Sequence, residues 1–105
     1  MANFCDNRFY FSCKKNFAKN IEYLEKELED YNVELFNDDY SEGATDGVFV
    51  SKWSFPTREF EEIFSKFKKE DGVYFRCLSE DFEGGYVAMN IFEDNEWRSE
   101  QTFDL

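Results

Sequence analysis

The side chains best placed to do chemistry in this sequence are carboxylates. Between positions 22 and 46 stand ten acids, among them Glu22, Glu25, Glu29, Asp30, Asp38, Asp39, Glu42 and Asp46, against one base, Lys26. On a helix Glu22, Glu25 and Glu29 share a side and span about 10 Å at roughly 1.5 Å per residue. Such a row can enter a groove built for phosphates, where each strand of B-DNA carries one charge per about 3.4 Å. These eight acids are therefore the candidate partner-binding residues. A solvated acidic face that keeps a phenylalanine-rich chain dissolved accounts for the same run. Metal binding is a third use. Asn37, Asp39 and Ser41 alternate as at the start of a calcium loop, but Glu42 holds the sixth place and Gly43 comes one late, so the EF-hand pattern fails. Asp38, Asp39, Glu42 and Asp46 retain at most a weak divalent site, and no metal or other cofactor is expected.

Other chemistries are excluded by composition. The chain has no His, which removes Ser-His and Cys-His nucleophile pairs and His-containing zinc or haem sites. Cys5, Cys13 and Cys77 form no CxxC pair and have no His or basic cluster to lower a thiol pKa, so they read as small buried hydrophobes of a reduced cytoplasm. Gly84-Gly85 lacks the lysine of a Walker loop and the third glycine of a dinucleotide fingerprint, and reads as a turn. Paired carboxylates identify nothing in a chain with 24 acids, because chance supplies many pairs. No enzyme is expected.

Positioning those side chains falls to one domain, 1–105. Its 14 phenylalanines and 42% hydrophobic content suffice for a single core without a metal. Net charge −12 repels nucleic acid and anionic bilayers and favours a basic partner. No apolar run approaches the roughly 20 residues of a membrane span, and the N-terminus lacks a signal peptide, so a soluble cytoplasmic chain is expected.

Strand periodicity opens at Arg8 to Cys13, where Phe9, Phe11 and Cys13 alternate with polar or amphipathic positions. Phe17, Ile21, Leu24, Leu28 and Tyr31 then recur at helical spacing, with Asn16 as N-cap. Residues 37–47 read as an acidic loop. Val48 to Trp53 predicts a strand, and Pro56 leads into a helix through Phe60, Ile63, Phe64 and Phe67 that Gly72 closes. Val73 to Leu78, Tyr86 to Phe92 and Trp97 to Phe103 predict three more strands. Trp53 and Trp97 are expected to pack in their strands. The order predicts an α+β fold of the ferredoxin-like, split βαβ kind: an antiparallel sheet with two helices on one face and an extra C-terminal strand.

Two segments resemble a known family. Asn3-Phe4-Cys5-Asp6-Asn7 resembles the Asn-Trp-Cys-x-Asn start of the YubB-like ferredoxin-like domains of plasmids and phages. Ser51-Lys52-Trp53-Ser54-Phe55-Pro56 resembles their Trp-Ser-Pro-Pro segment ahead of a helix. Phe4 stands where that family more often has Trp, and Phe55 where it often has a first Pro. The resemblance implies a mobile-element protein on a ferredoxin-like fold and brings no catalytic residues. Small phage proteins as a class often inhibit host defence, CRISPR systems included.

A rival surface lies on the sheet. If Phe9, Phe11, Val73, Phe75, Val87, Met89 and Ile91 face the helices, then Tyr10, Tyr74, Arg76 and Tyr86 occupy the opposite face. RNA-recognition modules stack bases on aromatics so placed, while Tyr and Arg equally mark protein or dimer contacts. The leading expectation is an acidic inhibitor that occupies a basic groove on a host protein or nucleoprotein complex, such as a CRISPR effector, in the bacterial cytoplasm, without binding nucleic acid or membrane itself. The alternative is a nucleic-acid-binding or homodimerisation module working through the aromatic sheet face.

Overall fold

In a computed structural model, described for residues 4–36, 43–81 and 83–100, the chain forms six strands and two α-helices. Strand β1 (Phe4–Ser12) leads to helix α1 (Phe17–Glu27), and a 3-10 turn at Glu29–Tyr31 leads to the short β2 (Glu34–Leu35). Then follow β3 (Ala44–Lys52), α2 (Thr57–Phe64), a 3-10 turn at Lys69–Asp71, β4 (Tyr74–Asp81), β5 (Tyr86–Glu93) and β6 (Glu96–Glu100). The strands make one sheet in the order β2-β3-β1-β4-β5-β6, and every neighbouring pair is antiparallel. This is an α+β architecture. The chain passes from β1 through α1 to β2 with β3 between them, and from β3 through α2 to β4 with β1 between them.

Alternation decides which side of each central strand is buried. Cys5, Asn7, Phe9 and Phe11 of β1 point one way, with Thr45, Gly47, Phe49 and Ser51 of β3 and Phe75, Cys77, Ser79 and Asp81 of β4. Both helices cover this side: Phe17 meets Phe11 at 5.9 Å, Phe60 stacks on Phe49 at 5.5 Å, and Phe64 meets Phe75 at 4.9 Å between ring centroids. Phe64 is the hub, also meeting Phe92 and Trp97 at 5.0 Å each. Rings at these separations and tilts add about 0.5–1.5 kcal/mol per pair beyond their area burial. The Tyr31 hydroxyl donates to Glu59 at 2.6 Å, tying the turn after α1 to α2.

Several expectations need correction. Val87, Met89 and Ile91 do not face the helices, because β5 pairs with β4 through Phe92↔Phe75, Asn90↔Cys77 and Ala88↔Ser79. That register turns Tyr86, Ala88, Asn90 and Phe92 toward the helical side. β5 is apolar on both faces, so alternation alone could not choose between them. Asn16 does not cap α1 with its side chain; it sits at φ 57 and gives its amide to Asp71 at 2.9 Å. The second helix stops at Phe64, before Lys66, Lys68 and Lys69, and Gly72 closes the 3-10 turn instead. Strand β3 begins at Ala44, inside the segment expected to be loop. Trp97 packs as expected, whereas Trp53 lies beyond the end of β3 with 56% of its surface exposed.

Candidate functional site

The predicted acidic site divides between two surfaces. Glu22 and Glu25 on α1, and Glu29 and Asp30 in the following turn, are exposed on the helical layer. Asp46 lies on the opposite side of the sheet, directly across from Tyr10. Asp38, Asp39 and Glu42 fall outside the described residues, as does most of the weak divalent site. Among the described residues no three metal-ligating side chains cluster. The helical layer is also less acidic than the run from 22 to 46 suggests. Segments 14–31 and 57–71 together carry ten acids and eight bases, so most of the net charge of −12 resides in the strands and their connections.

The uncovered face of the sheet gathers three of the four predicted aromatic-face residues. The Arg76 guanidinium lies 4.7 Å from the Tyr10 ring centroid and 6.0 Å from that of Tyr74, and the two rings meet edge to face at 6.0 Å. Cation–π contact of this kind is worth roughly 0.5–1 kcal/mol at an exposed site. Tyr86 is absent from the group: it stands opposite Asp81 on the helical side, where burial raises its pKa. In its place the face acquires Val87, Met89 and Ile91, opposite Glu80, Leu78 and Arg76.

The surface is concave. A groove of about 1120 Å³ runs over it, with Val48, Val50, Leu78 and Met89 along it and Asp6, Glu34, Asp46 and Glu80 around them. Among the described residues, Arg8 and Arg76 are the only bases lining it. The signal for this groove existed in the sequence, in the apolar residues on both phases of β5, but needed the pairing register to be read.

Beneath the other end of β1 lies a buried polar cluster that sequence reasoning did not anticipate. The Asn7 amide donates to Ser51 Oγ at 2.9 Å and also reaches the Cys5 and Phe49 carbonyls, while Ser79 Oγ donates to Asn7 Oδ1 at 2.6 Å. Ser51 Oγ in turn donates to the Ser54 carbonyl at 2.7 Å. Each side chain is satisfied and at most 6% exposed, which marks a structural network rather than a reactive one. Desolvation pushes the Cys77 thiol up to about 12 and the Cys13 thiol up to about 11, so both stay protonated and unreactive at neutral pH.

No protein-family model matches the chain, and no match is found among curated proteins or solved structures.

Proposed function

We propose that this chain is a non-enzymatic binding protein of a mobile genetic element, on a ferredoxin-like fold, whose open sheet face occupies a basic nucleic-acid-binding groove of a host protein complex in the cytoplasm. The observation that carries the reading is the acid-rimmed groove itself. Asp6, Glu34, Asp46 and Glu80 surround a floor that is apolar except for Arg8, which stands between Val48 and Leu78, beside the Tyr10–Arg76–Tyr74 cluster. An apolar floor within a charged rim is the anatomy of a protein interface, and Tyr and Arg dominate the energy of such contacts. Carboxylates there would pair with Lys and Arg that otherwise hold phosphates, and opposite charge would steer the encounter. Direct stacking of RNA bases on the same aromatics is disfavoured by the four acids and by net charge −12.

The strand order supports the ferredoxin-like assignment, since each strand–helix–strand unit steps over one intervening strand.

The test is competition. Added to a purified CRISPR effector complex and to a purified restriction endonuclease, each holding labelled DNA, the protein should release DNA from at least one. Its apparent affinity should fall about tenfold or more between roughly 50 and 200 mM salt. The combined changes Glu34→Lys, Asp46→Lys and Glu80→Lys should abolish release, while Glu22→Lys, Glu25→Lys and Glu29→Lys should leave it intact. The reverse pattern would move the interface to the helical layer. Release from neither complex would overturn the reading, and concentration-dependent sedimentation abolished by Tyr10→Ala and Tyr74→Ala would assign the face to a second copy of the chain.

A further inference from the structure

Five described non-glycine residues have positive φ; four are Asn or Asp, and the fifth is Trp53 at φ 70. Asn and Asp tolerate this region, but for a bulky aromatic residue it is strained. The Ser54 amide donates to the Lys52 carbonyl at 2.8 Å, closing a three-residue γ-turn around Trp53, and the positive-φ form of that turn is the rare one. The buried cluster clamps it from below. Ser51 Oγ holds the Ser54 carbonyl, Asn7 holds Ser51, and Ser79 holds Asn7. A strained turn is maintained only where its surroundings over-determine it, and here the strain leaves most of the side chain in solvent: Trp53 is 56% exposed.

Two more exposed apolar side chains stand at the same end of the β1–β3 pair. Phe4, 63% exposed, lies opposite Lys52, and Val50, 48% exposed, lies opposite Asp6. With Trp53 they are three of the four exposed large hydrophobics among the described residues. Asp6 in turn faces Glu80 directly across β4, a like-charge pair that costs stability, and no described cation stands within ion-pair distance of either.

Resting on the reading above, we propose that Trp53, with Phe4 and Val50, is the apolar anchor that docks the chain on its basic protein partner, with an Arg or Lys of that partner received between Asp6 and Glu80. The choice of occupant follows from charge: a cation there relieves the Asp6–Glu80 repulsion, as the net charge of −12 also favours. Trp is the residue type most enriched among interface positions that dominate affinity.

Trp53→Asn separates anchoring from packing, because Asn accepts positive φ. The variant should melt at the wild-type temperature or above it, yet bind the complex from which wild type releases DNA about 30-fold more weakly or worse. A lower melting temperature would make Trp53 a packing residue and overturn the anchor. Wild-type affinity in a stable variant would also overturn it while leaving the open-face reading in place. Failure of the wild-type chain to act on either complex would remove both.

Discussion

Asp71 shows how much a single side chain can tie together. It is 3% exposed, yet the Asn20 and Asn16 amides reach its two carboxylate oxygens at 3.0 and 2.9 Å. Its carbonyl accepts the Lys14 and Lys15 amides, fastening the start of α1 to the turn before β4. Those amide donors, led by Asn20, hold its carboxyl below the ordinary value of 3.8, with Lys68 and Lys19 assisting. A lowered folded-state pKa favours the native state wherever the carboxyl is ionised in both states. That stabilisation should therefore be complete above about pH 4 and vanish as pH falls further. Urea midpoints measured from pH 6 down to pH 2 should show a steep acid limb that Asp71→Asn flattens, with a lower midpoint at neutral pH. An unchanged acid limb would assign it to other carboxylates. The sequence offered Asn16 only as a cap, since its true acceptor lies 55 positions away.

At the scale of elements, the central strands were legible because large apolar residues alternate along them with exposed ones, and α1 because its apolar stripe recurs at the helical period. Less visible was the fit between strands. Gly47 lies opposite Phe9, and a Cβ placed there would stand 2.5 Å from Phe9 Cζ and 2.9 Å from Leu35 Cδ2. The Phe9 ring cannot easily retreat, being stacked on Phe75 at 5.5 Å and set against Phe49 at 6.1 Å. Gly47→Ala should therefore cost about 1–3 kcal/mol through overpacking. Chemical denaturation would show it as a lower midpoint at unchanged slope, and a neutral substitution would mean that the ring and Leu35 yield freely. In sequence this glycine read as the end of a loop, because a glycine that admits a cross-strand ring looks like one that permits a turn.

Across the whole molecule the governing quantity is charge. Net charge −12 acts on a chain whose helical layer is nearly balanced, so repulsion is concentrated in the strands and their connections. Screening it should raise the thermal midpoint of the free protein between roughly 0.05 and 0.5 M sodium chloride, where the Debye length shrinks from about 14 to about 4 Å. A midpoint indifferent to salt would mean that the acids are too dispersed to repel one another. What the amino-acid order determined unaided was local or cumulative: the helix periods, the alternation of the central strands, the absence of His chemistry and the overall acidity. Tertiary structure alone decided that Tyr86 leaves the open face while Met89 joins the groove, and that Asn7 reaches Ser51. Each of these depends on how one strand is registered against another, and a local repeat carries no information about which residue of another strand will stand opposite.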